Sequence, residues 1–96
     1  ESWHNQIINI HPSLLPDYKG LNTHKRVLND GVQLAGCTTH IVESELDSGQ
    51  ILMQATVPVL KDDTEDLLAK RVLHMEHIIF PETLKRIAAN QFIFDK

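Results

Sequence analysis

Three side chains stand out for the chemistry they can do: Asn9, His11 and Asp47. The first two fall in NIHPSLLP, residues 9–16, where an apolar run of isoleucines stops at a histidine followed by Pro12. Two apart at a strand end, Asn9 and His11 point their side chains the same way. In open α/β sheets the ligand crevice lies beyond the carboxyl ends of strands. Asp47 sits in the Asp-Ser-Gly turn that follows a later strand. If the two strand ends lie side by side, an amide donor, an imidazole and a carboxylate converge. That set suits acyl or formyl transfer. The amide N–H can hydrogen-bond a developing oxyanion, and the imidazole can carry a proton to or from an attacking amine. The carboxylate can orient the ring, favour its charged form, or hold a water. A structural reading stays open beside it: polar residues satisfying backbone groups at a strand end, and an aspartate that makes a turn.

No side chain reads as an activated nucleophile. Ser13 lacks the flanking glycines of a nucleophile elbow. Cys37 begins a strand and reads as a small buried residue. Direct attack by a substrate amine needs neither. His40, among threonines on a strand, reads as a hydrogen-bonded structural residue. His74 and His77 stand three apart on a helix, a spacing that metal pairs use, but no further ligand set accompanies them, and no metal is expected. Glu76, between them, reads as a solvated helix residue.

The elements that must position these residues follow from periodicity. Residues 6–10 read as a short strand, and Pro12 and Pro16 forbid regular structure after it. Asp-Tyr-Lys-Gly at 17–20 signals a turn. Asn22 and Thr23 can cap a short helix with Val27 and Leu28 facing inward, closed by Gly31. Residues 37–43 alternate as a strand, and 50–57 make the next. Six residues between them favour an antiparallel pair, limited by Pro58. A long helix starts at Asp63 or Thr64, with Leu68, Val72, Met75 and Ile79 on one face. Pro81 is expected to kink or restart it; Leu84, Ile87 and Ala88 continue its apolar side, and Asn90 can close it. The tail 91–96 can add a strand or an apolar clip.

This order is α/β, yet two or three strands make a thin sheet, more like the second part of a larger doubly wound domain than a complete one. Ninety-six residues, 42% hydrophobic and 23% charged, fit one globular domain at most rather than a disordered chain. A net charge of −4 without a basic patch argues against nucleic acid as the main partner. No apolar run reaches the length of a membrane span, so no membrane partner is expected. One cysteine excludes an internal disulfide and fits a reducing compartment, the cytoplasm.

Three blocks in order, NIHPSLLPDYKG, GCTTHIVESELDSGQILMQATVPV and EHIIFP, resemble the phosphoribosylglycinamide formyltransferases, folate-dependent enzymes of purine synthesis. The resemblance covers residues 7–88. It implies a Rossmann-like formyltransferase sheet and Asn9, His11 and Asp47 as the catalytic set. It further implies a pterin pocket formed largely by backbone groups of Val42, Glu43, Ser44, Glu45, Leu46 and Asp47. Ile10, Pro12 and Glu76 would contact the nucleotide substrate, with Glu76 on the ribose hydroxyls and His40 in support. The segment from Leu14 to Gly36 would border the folate site. The small-molecule partners implied are 10-formyltetrahydrofolate, as cosubstrate, and glycinamide ribonucleotide. Related methionyl-tRNA formyltransferases typically carry Gly in place of Pro12, and formyltetrahydrofolate deformylases a second His there and a Phe near Leu14. Hydrolysis of the same folate, or a non-catalytic folate-binding or oligomerisation module, are the alternatives. The four dispersed glycines contain no Gly-rich phosphate loop. The expectation is therefore that residues 1–96 are the C-terminal catalytic half of the domain, without its N-terminal strands and phosphate-binding half. Such a piece would be inactive alone and would associate with that half or with another copy.

Overall fold

A computed structural model describes residues 7–42 and 50–89. In chain order these form β1 (Ile7–His11), α1 (Thr23–Asp30), β2 (Leu34–Val42), β3 (Ile51–Pro58) and α2 (Glu65–Ala88). The three strands make one antiparallel sheet in the order β1-β2-β3. The antiparallel β2–β3 pair agrees with the short connection between them.

β2 is the central strand, and both of its faces are buried. Ala35 and Cys37 pack with Leu68, Val72 and Ile79 of α2, the centre of the core. Thr39, on the same face, meets Thr83 of α2 through a 2.8 Å hydroxyl–hydroxyl hydrogen bond, and the Thr83 hydroxyl also lies 2.8 Å from the Ile79 carbonyl. A buried polar pair between sheet and helix is tolerated because its hydrogen bonds are made. On the opposite face Thr38 holds the loop after β1. Its Oγ1 accepts the Leu15 N–H at 3.0 Å and donates to the Ser13 carbonyl at 2.7 Å. Gln54 Nε2 donates to both Thr38 Oγ1 and the Leu15 carbonyl. The proline-bounded loop is thereby a lid on the sheet. β3 carries an irregularity where Thr39 pairs with Met53 and His40 with Ile51, so Leu52 is an extra residue.

Several boundaries differ from expectation. The first strand includes His11, and Gln6 and Glu43 lie outside the described residues. β2 begins at Leu34 rather than Cys37, because Leu34, Ala35 and Gly36 pair with Pro58, Val57 and Thr56. Asn22 holds the cap position of α1 but in a left-handed conformation, φ 59°, without a side-chain cap bond. Gly31 closes that helix in the left-handed conformation expected. Thr64, not Asp63, caps α2 by accepting the Leu67 N–H; Asp63 instead accepts the Leu60 N–H and pairs with Arg71. α2 runs unbroken through Pro81. Burial of Ile79 and Thr83 on either side of the proline outweighs its lost backbone bond. Leu84 and Ala88 are exposed, whereas Ile87 is buried as expected. Asn90 and the tail lie outside the described residues.

Candidate functional site

β1 presents its side chains alternately. Ile10, across from Thr39, faces α2 and packs on the core; Asn9 and His11, across from His40 and Thr38, face the lid. Asn9 is exposed, while His11 is only 6% exposed. The difference is made by the lid: the chain turns back over the end of β1, and the Tyr18 carbonyl lies 2.8 Å from His11 Nε2. Asn9 therefore offers its amide outward beside a histidine that is already oriented. His40, 1% exposed, stands in the same face directly opposite Asn9.

The antiparallel register alters how Asp47 can join them. β2 leaves the sheet at Val42, opposite Ile7 at the beginning of β1, whereas β1 leaves at His11, opposite Thr38. The carboxyl ends of these strands are thus at opposite ends of the pair, not side by side. The reason is the path of the chain: the lid and α1 return it so that β2 runs antiparallel to β1. Val42, the described member of the expected pterin segment, is half-buried. Glu43, Ser44, Glu45, Leu46 and Asp47 lie outside the described residues.

One concavity is lined by His11 and another by its neighbour Ile10. The first, of about 360 Å³, is lined by His11, Pro12, the 20–25 segment and Glu65. The second, of about 370 Å³, is lined by Ile10, Glu76, His77, Phe80 and Pro81. Ile10 and Glu76 thus share one concavity and Pro12 lies in the other. Burial raises the Glu76 carboxyl above its ordinary pKa, and the neighbouring His77 and His11 pull it partly back. His24, reached from α1, has its pKa lowered by burial, opposed by Glu65 and reinforced by His11. Its part beside His11 had no signal in the sequence beyond the residue type. His74 and His77 are exposed. Cys37 is fully buried, and burial pushes its thiol up to about 11, which suits packing rather than nucleophilic attack. Among the described residues no helix is long and apolar enough to cross a membrane.

A formyl transferase family profile matches residues 1–84. The chain is 48% identical over 87 residues to the trifunctional purine biosynthetic protein adenosine-3 of Bos taurus, covering 91% of this chain and 9% of that protein. It is 47% identical over 76 residues to the phosphoribosylglycinamide formyltransferase of Escherichia coli (strain K12), covering 79% of this chain and 36% of that enzyme. A crystal structure of phosphoribosylglycinamide formyltransferase from Anaplasma phagocytophilum superposes with a TM-score of 0.87 at 54% identity, over 93% of this chain and 43% of that one. The chain thus spans less than half the length of these relatives.

Proposed function

This chain belongs to the formyl transferase family, and we propose that it carries the catalytic half of a phosphoribosylglycinamide formyltransferase. The reaction moves a formyl group from 10-formyltetrahydrofolate to the primary amine of glycinamide ribonucleotide. The amine nitrogen attacks the formyl carbon, the bond from that carbon to the folate nitrogen breaks, and the proton lost by the amine is taken up by the folate nitrogen. The enzyme forms no covalent intermediate. The observation that carries this reading is the pairing of an exposed Asn9 amide with an oriented His11 on one sheet face, in a chain of this family.

Asn9 and His11 polarise the formyl oxygen and stabilise the tetrahedral intermediate, and His11 moves the proton. Asp47 positions His11 or a water. Backbone groups from Val42 to Asp47 hold the pterin. Ile10, Pro12 and Glu76 contact the nucleotide, with Glu76 accepting from its ribose hydroxyls, and His40 supports Asn9. An amino-terminal half supplies the phosphate-binding loop and the strands beside β1. The exposed Ile7 on the open edge of β1, and the exposed Leu73, Ile78 and Leu84 of α2, support burial against that half or a second copy. The single buried cysteine supports a reducing compartment, hence the cytoplasm.

The test is formyl release from a 10-formyl folate, with and without glycinamide ribonucleotide. It is run on residues 1–96 and on the protein expressed from its full reading frame. Turnover is expected in the full protein alone and with the amine alone. His11→Ala should lower its kcat by about 10²–10⁴-fold, the usual weight of a general acid–base group. Turnover without the amine would make the protein a hydrolase, and silence under every condition would leave a binding module.

A further inference from the structure

His11 meets the backbone of a tyrosine. A carbonyl oxygen only accepts hydrogen bonds, so the 2.8 Å contact from His11 Nε2 to the Tyr18 carbonyl requires the proton on Nε2. In the neutral ring the lone pair then resides on Nδ1. We infer that Tyr18 is a positioning residue: held by α1, it presents its carbonyl to His11 and selects the Nε2–H tautomer of the ring. The inference rests on the proposed role of His11.

The local geometry is costly enough to need holding. Tyr18 has φ 56°, the left-handed region that an L side chain rarely adopts. Two residues of α1, one turn apart, keep it there. The Tyr18 hydroxyl donates to Asp30 Oδ2 at 2.7 Å. The Arg26 guanidinium lies 5.6 Å from the centre of the Tyr18 ring, within cation–π range. The same guanidinium donates to the carbonyls of Leu21 and Lys19, on the far side of the turn. Before the turn, Ser13 Oγ donates to the Asp17 carbonyl at 2.6 Å, and the Asp17 N–H donates to the Leu14 carbonyl at 3.0 Å. The carbonyl that meets His11 is thus fixed from both sides, by the lid and by α1.

A purely structural Tyr18 would stabilise the loop without setting the imidazole, and the two roles separate by spectroscopy. Nitrogen-15 NMR of the His11 ring, in the protein from its full reading frame, reports the tautomer without any turnover. The expected wild-type state of the neutral ring is the Nε2–H form. Tyr18→Phe and Asp30→Ala remove the hydroxyl–carboxylate bond and should give a mixture of tautomers. They should lower kcat by up to about 100-fold, the scale of a misplaced catalytic group, with KM little changed. Asp30→Asn keeps an oxygen acceptor and should restore the Nε2–H form.

An Nδ1–H wild type would overturn the inference, and so would an unaltered tautomer and kcat in both folded variants. If the variants fail to fold, the wild-type spectrum alone still decides the tautomer. An Nε2–H ring in a protein without formyl transfer would sink the proposed function and keep the contact. Transfer with an Nδ1–H ring would do the reverse.

Discussion

His40 lies directly across the β1–β2 ladder from Asn9. Side chains in such a pair share a face and stand within contact range, so an exposed amide has a buried imidazole as its neighbour. On the proposed function, Asn9→Ala should lower kcat/KM by about 10²–10³-fold, the weight of one oxyanion donor. His40→Ala should cost less. The double variant should depart from additivity by about 0.5–3 kcal/mol, because the two residues are in direct register. Simple additivity in steady-state kinetics would remove His40 from its supporting role.

Glu76 should impose a pH dependence on nucleotide binding. Accepting from ribose hydroxyls is done best by the ionised carboxylate. Burial raises its pKa, so the carboxylate is lost as pH falls through a value above that of an ordinary glutamate. KM for glycinamide ribonucleotide should therefore rise on acidification, earlier than a solvated Glu would allow. Glu76→Gln should raise KM by roughly 10- to 100-fold at neutral pH and abolish that inflection. An inflection that persists in Glu76→Gln belongs to another group.

The Asp63–Arg71 pair ties the loop before α2 to the helix itself. Arg71 Nη1 and Nη2 reach the two carboxylate oxygens at 2.7 and 2.8 Å, and the Asp63 side chain is 2% exposed. The guanidinium beside it, together with the Leu60 N–H, holds the Asp63 carboxyl down at about 2. A depressed folded pKa means that the pair's stabilisation is present above the unfolded value, near 4, and fades as pH falls toward 2. Urea melts across this window should show a steeper acid loss in the wild type than in Asp63→Asn. Parallel curves would show that the pair carries no pH-linked stability.

Gly36 sits where β2 passes under the lid. A Cβ there would collide with the Ala55 carbonyl oxygen of the neighbouring strand and approach Leu14 Cδ2 to 2.6 Å. Leu14 can move, but the strand cannot. Gly36→Ala should destabilise by about 1–3 kcal/mol, the range for overpacking, read as a lower urea midpoint at unchanged slope. An unchanged midpoint would mean that the lid and β3 are less closely apposed than described.

Much of this architecture was legible from local pattern. The isoleucines of β1, the alternation in β2 and the 3.6-residue spacing of Leu68, Val72 and Ile79 each identify an element from its own residues. α2 does not restart at Pro81: a proline's local cost is visible in sequence, whereas the burial of Ile79 and Thr83 that offsets it is not. The start of β2 at Leu34 was not legible in the same way, because the pairing of Leu34, Ala35 and Gly36 with β3, and the close approach of Ala55 and Leu14 to Gly36, are tertiary facts.

The sequence by itself determined the order of the elements, the common direction of Asn9 and His11, and the family. Each of these depends on residue types and spacings a few positions apart. The tertiary structure alone decided that β2 runs antiparallel to β1, which pairs Asn9 with His40 and sends Val42 to the far end from His11. It also decided that the Tyr18 carbonyl meets His11 Nε2 and that Glu76 shares a concavity with Ile10. A strand's periodicity states which way its side chains point, but not which strand lies beside it or in what register. Those follow from burial and hydrogen bonding between residues distant in the chain, and the site is made of such pairs.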